Sequence, residues 1–392
     1  MKNTSQIITS MVSADVKVFI SCNACKRREL DSIRIRRYLL LNDYSVVDDC
    51  NQADVIFFFS CAFSKEMSID SHKRLIDFCD SYNVVFVFGC FPVIGMNSIN
   101  DRENLVAIHN SNLSEVENFF PPRRLKFADI KDGNDMYYDP IFQNDVFLIR
   151  ISSGCFGNCS YCAIKKAIGT LCSKELSTIV FELESAIKLG YSYIRLVADD
   201  GGGYGLDRQT DLISLLDTIG CYTSIKGLEF EINPKWLLKY GERFVNYIRH
   251  NCDLRYKLTI PIQSASKRLL IDMHRDIDLD AFSTLLSEIW RTSQARLFLI
   301  THIITGYPGE NRSDLDATLD FLIRNKFHQI NVFPFTLNPH SPIGLSGCLF
   351  VDNVQDHTNY LILKLCECGY SVFESSKTDN KEWQHVILRL DD

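Results

Sequence analysis

The chain has 392 residues, of which 46% are hydrophobic, 11% aromatic and 23% charged. That length suits two to three domains, and the composition excludes a disordered, collagenous or low-complexity chain. The net charge of −7 argues against a broad electrostatic grip on nucleic acid while leaving room for a local basic patch.

No apolar run reaches the roughly 18 residues that span a bilayer, and Met1–Val12 lacks the pattern of a signal peptide. Fifteen cysteines with no secretion signal point to metal binding or buried thiols in a cytoplasmic protein, not to a disulfide framework.

In chain order, residues 1–15 are polar and unpatterned and are expected to form a flexible lead. A first domain spans 16–120. Val16–Ser21, Ala53–Ser60 and Val84–Gly89 are short, continuously apolar runs, as strands buried on both faces should be. Asp31–Tyr44 and Lys65–Ser81 have helical spacing, with Asp31 as a good capping residue. This alternation predicts an α/β domain with a doubly wound parallel sheet. From Phe119 the pattern lapses into Pro121, Pro122, Arg123, Arg124 and Lys126, so 121–142 reads as an interdomain linker.

A second alternation fills 143–343. Strands are predicted at Val146–Ser152, Tyr193–Ala198, Leu228–Ile232, Lys257–Ile262, Leu297–Thr305 and Ile330–Phe335. Helices are predicted at Ser177–Leu189, Arg208–Ile219, Pro234–His250, Leu279–Thr292 and Arg312–Lys326. Six strand–helix steps fit a partial (β/α)6 barrel better than a closed eight-unit one. Residues 344–392 hold one helical pattern, Asn359–Cys368, and a charged tail.

The most informative segment follows the first barrel strand: Gly154-Cys155-Phe156-Gly157-Asn158-Cys159-Ser160-Tyr161-Cys162. Three thiols on one tight loop can converge on one point, and soft thiolates favour iron–sulfur clusters or zinc. Gly154 and Gly157 let the backbone curl around a bulky group. Zinc usually wants a fourth protein ligand nearby, whereas a cubane held by three cysteines leaves one iron open for catalysis. The segment resembles the signature of the radical S-adenosylmethionine (SAM) superfamily. That resemblance implies a [4Fe–4S] cluster on Cys155, Cys159 and Cys162 whose open iron chelates SAM. An electron from an external low-potential donor then yields a 5′-deoxyadenosyl radical, while the protein positions the substrate C–H bond.

Further segments sit at the carboxyl ends of predicted strands, where a barrel builds its site. They are Asp199-Asp200-Gly201-Gly202-Gly203, Asn233-Pro234, Pro261–Ser266 and Thr305–Glu310. They resemble strand-end motifs of the same superfamily, which implies cofactor binding by Asp199, Asp200, Asn233, Gln263, Gly306, Gly309 and Glu310. The residues alone leave the aspartate pair open between two roles: holding hydroxyls or amines of SAM or substrate, and capping the glycine turn.

The first domain carries a second thiol set. Cys22 and Cys25 follow its first strand, Cys61 its second and Cys90 its third, so thiols from three strand ends can meet in one crevice. Free cysteine is also common in cores. Ala24-Cys25 with Asp31-Ser32, Ser60-Cys61-Ala62 and Phe88-Gly89-Cys90-Phe91 resemble the N-terminal motifs of the methylthiotransferase subgroup. The resemblance implies a second [4Fe–4S] cluster on Cys25, Cys61 and Cys90 that carries or donates sulfur, with the offset to Asp31 selecting Cys25 over Cys22. One SAM would methylate cluster-bound sulfur and a second would supply the radical, turning C–H into C–S–CH3.

Two features depart from that subgroup. No run of five alternating strands follows Gly344, so the C-terminal TRAM domain that helps relatives hold a macromolecule is expected to be missing. The basic stretch after the cluster loop keeps Gly169 and Ser173 but is diluted by Ile168, Leu171 and Cys172. With the acidic balance, these favour a peptide, a protein side chain or a specialised small-molecule metabolite as substrate. A tRNA, which calls for a basic footprint, is the alternative, and an inactive iron–sulfur protein of the same fold is a third reading. Lys26–Arg37 carries six basic residues against two acidic ones, and reads as the solvated face of a helix before it reads as a nucleic-acid patch.

Overall fold

The computed structural model describes residues 16–95, 102–132, 135–347, 353–377 and 382–391, so the predicted lead at 1–15 lies outside it. The chain divides into two units, Met1–Asp135 with Ala163–Thr170, and Met136–Cys162 with Leu171–Asp392.

The first unit is built on five parallel strands, β1 (Lys17–Cys22), β2 (Ser45–Val47), β3 (Val55–Ser60), β4 (Val84–Gly89) and β5 (Leu105–Ala107), in the order β2-β1-β3-β4-β5. The order reverses between β1 and β3, the kind of switch point where open α/β sheets gather ligands. Every residue of β3 and β4 is buried, which is why both read as unbroken apolar runs. Phe57, Phe59, Phe86 and Phe88 enter one core with Tyr38 and Phe120, while Phe58 enters another with Leu75 and Phe91. β2 and β5 are too short to show a period in the sequence.

Helix α1 (Lys26–Leu41) starts a turn earlier than its predicted cap. Cys25 stands at the N-cap position, and Asp31 lies inside the helix, paired with buried Arg28 at 2.7 Å. Nor is the basic run a solvated face. Arg34 donates to the Ile130 carbonyl at 2.9 Å, Arg37 to the Asp132 carbonyl at 3.1 Å, and Arg36 pairs with Asp48 at 2.9 Å. Carbonyls of a distant segment take up these donors, and no local pattern reports that. Helix α2 (Lys65–Ser81) matches its predicted bounds, and Ser64 caps it by accepting from the Met67 N–H.

The expected linker is corrected as well. Up to Asp135 it belongs to the first unit. Phe120, Phe127 and Ile130 are buried in that unit's core, and Asn42 Oδ1 accepts from the N–H groups of Arg123, Arg124 and Leu125 at 2.8–3.0 Å. Prolines and turns erase periodicity without erasing packing.

The second unit holds a nine-stranded sheet. Six parallel strands run in sequence order: β7 (Asn144–Arg150), β8 (Tyr193–Val197), β9 (Gly227–Glu231), β10 (Arg255–Thr259), β11 (Leu297–Thr305) and β12 (Gln329–Pro334). The connecting helices are α3 (Leu176–Lys188), α4 (Leu212–Gly220), α5 (Pro234–His250), α6 (Leu279–Ser293) and α7 (Arg312–Asn325), and α8 (Val354–Glu367) follows β12. This is the expected six-step partial barrel. Alternate strand residues such as Ile149, Ile194, Leu196, Leu228 and Phe230 join the helices in one continuous core.

Antiparallel strands extend both edges. β6 (Met136–Asp139), from the end of the expected linker, pairs with β7. At the far edge β14 (Trp383–Leu390) pairs with β12, and β13 (Tyr370–Lys377) with β14. The expected helix-and-tail ending is thus a helix followed by a hairpin. Val386 and Leu388 alternate into the core, a period of two that Gln384, His385 and Arg389 obscure in the sequence. No helix among the described residues is long and apolar enough to cross a membrane.

Gly89 ends β4 at φ +97°, so close to β3 that a Cβ there would meet the Ser60 carbonyl oxygen at 2.1 Å. Gly89→Ala is expected to cost roughly 2–4 kcal/mol, read as a lower midpoint in urea unfolding followed by circular dichroism.

Candidate active site

β7 delivers the chain to the loop Gly154–Cys162 at the carboxyl end of the parallel strands. Gly154 takes φ +75°, and its N–H donates to Asp199 Oδ2 at 2.9 Å. Buried Asp200 accepts from Trp236 Nε1 on α5 at 2.8 Å and from the Cys155 thiol at 3.5 Å. Three successive residues after β10 hold the loop's other side. The Met273 carbonyl accepts from the Ser160 N–H at 3.2 Å, His274 Nδ1–H donates to the Asn158 carbonyl at 2.9 Å, and Arg275 Nη1 donates to Cys159 Sγ at 3.7 Å.

Cys155, Cys159 and Cys162 are all partly exposed. Burial first, then the Asp200 carboxylate, pushes the Cys155 thiol up to about 12, so a metal bound there must displace its proton. A Cβ built on Gly157 would meet Cys155 Sγ at 3.1 Å and Cys159 Sγ at 3.8 Å. Two sulfurs therefore flank one bare Cα, in a cradle that a side chain would fill, and the Gly157 N–H donates to Cys155 Sγ at 3.0 Å. Among the described residues no three His, Cys, Asp or Glu side chains close on a point as a single ion requires. Three soft sulfurs on one loop, two of them flanking a cradle that a side chain would fill, have the chemistry that suits an iron–sulfur cluster.

The other predicted residues have visible structural partners. Asp199 and Asp200 brace the cluster loop, and Asp200 makes no side-chain cap on the turn Gly201–Gly203. Asn233 caps α5, accepting from the Lys235 N–H at 3.1 Å. Gln263, at φ +71°, bridges to β11: its N–H donates to the His302 carbonyl and its carbonyl accepts from Ile304, both at 2.8 Å. Gly306, at φ +74°, lies against α8, where a Cβ would come within 2.6 Å of Val354 Cα. The Gly309 carbonyl accepts from Arg268 at 2.9 Å.

In the first unit the three thiols follow adjacent parallel strands. Ser60 and Gly89 are register partners, so Cys61 and Cys90 stand side by side one residue beyond the ladder. Both are buried, whereas Cys25 is exposed. The Cys61 N–H and carbonyl are both bonded to the Ser71 hydroxyl. Cys22 is the last residue of β1, and burial pushes its thiol up to about 11.

Sequence reasoning missed Trp236 and Arg275, which act on the cluster loop from remote segments. It also missed the polar inner face of the second unit's sheet. There a cavity of about 230 Å³ is lined by Arg195, Glu229, Glu231, Lys257 and His302, among others. Arg195 and Lys257 both pair with Glu229, at 3.3 and 3.5 Å. Single charges every second residue were the available signal, and each is ordinary on its own.

Residues 149–322 match the Radical SAM superfamily, and residues 17–109 match the uncharacterized protein family UPF0004. A probable threonylcarbamoyladenosine tRNA methylthiotransferase of Pyrococcus horikoshii is 28% identical over 338 residues, covering 83% of this chain and 78% of that protein. The ribosomal protein uS12 methylthiotransferase RimO of Chlorobium limicola is 25% identical over 340 residues, covering 83% and 76%. Among solved structures, the radical SAM methyltransferase TsrM of Kitasatospora setae matches with a TM-score of 0.62 at 12% identity, over 96% of this chain and 86% of that one. At that identity the likeness is one of fold alone. Fold and cluster loop together define a radical SAM enzyme. With the N-terminal match and the named relatives, the chain belongs to the radical SAM methylthiotransferase family, and it works with SAM and [4Fe–4S] clusters.

The Gly306–Glu310 turn carries a pH dependence. Glu310 accepts from the Gly306 N–H and contacts His357 Nδ1 at 3.0 Å. Burial raises its carboxyl from 4.5 to about 7, and burial lowers the His357 imidazole. The folded state thus holds a proton on Glu310 that the unfolded chain releases. Stability from this group is full below pH ~4.5 and is lost as pH rises through about 7. Between those limits the Glu310 contribution should fall by roughly 3 kcal/mol, opposed by the gain from His357, and thermal unfolding of Glu310→Gln should lack that fall.

Proposed function

We propose that this enzyme methylthiolates a modified adenosine of tRNA, of the threonylcarbamoyladenosine kind, replacing one C–H with C–S–CH3. The observation that carries this reading is the 28% identity to the probable threonylcarbamoyladenosine tRNA methylthiotransferase over 83% of the chain. A similar enzyme from Pyrococcus abyssi has the same identity and coverage. We prefer this to the peptide or metabolite substrate that the expected lack of a TRAM domain, the diluted basic stretch and the acidic balance favoured, because the named relatives act on tRNA or a ribosomal protein.

In this reading Cys155, Cys159 and Cys162 hold the SAM-binding cluster, and Cys25, Cys61 and Cys90 hold the sulfur-bearing one. When bound, these groups and SAM supply the methyl, the sulfur and the radical. The chain's own residues do the positioning. Asp199 and Asp200 fix the entry to the cluster loop, and Met273–Arg275 fix its far side. Gln263 and the Gly306–Glu310 turn stand beyond the carboxyl ends of β10 and β11, as contacts for SAM. The charged inner face of the sheet, where Glu229 lies between Arg195 and Lys257, offers polar contacts to the target base.

Two measurements test this. After anaerobic reconstitution with iron and sulfide, the wild type should bind about twice the iron of a triple Cys25/Cys61/Cys90→Ala variant; equal iron rejects the second cluster. Nucleosides from tRNA of cells lacking the enzyme should lose one methylthio-adenosine species. Wild type should restore it and Cys155→Ala should not. Restoration of a methylthiolated ribosomal protein instead would keep the class and reject the tRNA.

A further inference from the structure

We propose that Arg275, donating to Cys159 with Tyr161 beside it, raises the reduction potential of the cluster on Cys155, Cys159 and Cys162. This inference rests on the ligand set proposed above.

Arg275 is partly buried on the segment that grips the cluster loop. Its Nη1 donates to Cys159 Sγ at 3.7 Å, and its Nη2 is fixed on the Pro261 carbonyl. Its own N–H is bonded to the Leu270 carbonyl at 2.7 Å. Tyr161 is an electrostatic neighbour of both Cys159 and Arg275. The Tyr161 ring is seated against Leu269, Met273, Tyr307 and Phe335, which fixes the hydroxyl's direction.

Among the described residues no carboxylate pairs with Arg275. The groups that meet its guanidinium are a thiol, a phenol and a carbonyl. Arginine keeps its charge at any working pH, and a charge drawn out of water wants an anion. A cluster bound through the three thiolates would be that anion, and Cys159 is the thiol that the guanidinium reaches. Hydrogen bonds and positive charge at a ligating sulfur favour the more electron-rich, reduced cluster. The two residues therefore make the cluster easier to reduce, which matters where the electron comes from an outside donor. Phenylalanine at 161 would keep the packing and lose the donor. Lysine at 275 would keep the charge and lose the forked geometry.

The test uses the full chain, reconstituted anaerobically, as wild type, Tyr161→Phe, Arg275→Lys and Arg275→Gln. Iron and sulfide are counted, and the midpoint potential is read by EPR-monitored titration of the signal that changes when SAM is added. Arg275→Gln should shift the potential more negative by at least a tenfold change in the reduction equilibrium, about 59 mV for one electron. Tyr161→Phe should shift in the same direction, and Arg275→Lys should recover part of the loss. Unchanged potentials in Tyr161→Phe and Arg275→Gln at full iron overturn the inference. If Arg275→Gln fails to load, Tyr161→Phe decides by the same criterion, since it lacks a single oxygen. Survival of the SAM-responsive signal in Cys159→Ala would overturn the ligand assignment and this inference with it.

Discussion

Three thiols can share one cluster only if an irregular loop is held in a shape it would not keep alone. The loop Gly154–Cys162 has little internal backbone bonding, the Cys162 N–H to Cys159 carbonyl at 3.1 Å being one instance. Its shape is imposed by Asp199 and Asp200 after β8 and by Met273–Arg275 after β10. Parallel strands make this possible, because each one ends on the same side of the sheet. Side chains distant in sequence then arrive at one rim without long detours. The sheet order of the second unit thus precedes its chemistry, and residues such as Trp236 matter by holding the residues that touch the loop.

The first unit uses the same device with shorter reach. Its sheet reverses direction between β1 and β3, and the thiols of interest follow β1, β3 and β4. The register of Ser60 with Gly89 fixes Cys61 beside Cys90, and the bare Cα of Gly89 lets the two strand ends close up. Cys25 comes from farther out, as the N-cap of α1. Two thiols are set by the ladder and one by where a helix begins.

Local pattern was enough wherever burial was complete and period was clean. β3, β4 and the six barrel strands were legible because helices cover them, leaving unbroken apolar runs or regular alternation. The thiols of the Gly154–Cys162 loop could be singled out because their spacing is local. What escaped was set by tertiary contact. The 121–135 segment packs through a few widely spaced side chains, Phe127 and Ile130 among them, that no window groups together. The arginines of α1 look like a surface stripe until Ile130 and Asp132 carbonyls are brought to them. Arg275 lies beyond a short helix and more than a hundred residues from Cys159, so nothing local marks it.

Net charge is the least local quantity of all, and it bears weakly on substrate. A sum of −7 over the chain governs long-range solubility and steering. A bound polynucleotide meets only charges within about 8 Å at physiological salt, because counter-ions screen the rest. On this chain many acidic groups are already spent on neighbours: Asp31 on Arg28, Glu229 on Arg195 and Lys257, Asp139 on Lys257. An ion pair adds nothing to the sum and projects almost no field, so the total does not say where the unpaired charges lie. The total therefore carries little information about the surface a tRNA would touch, and likeness across both units outweighs it in choosing the substrate.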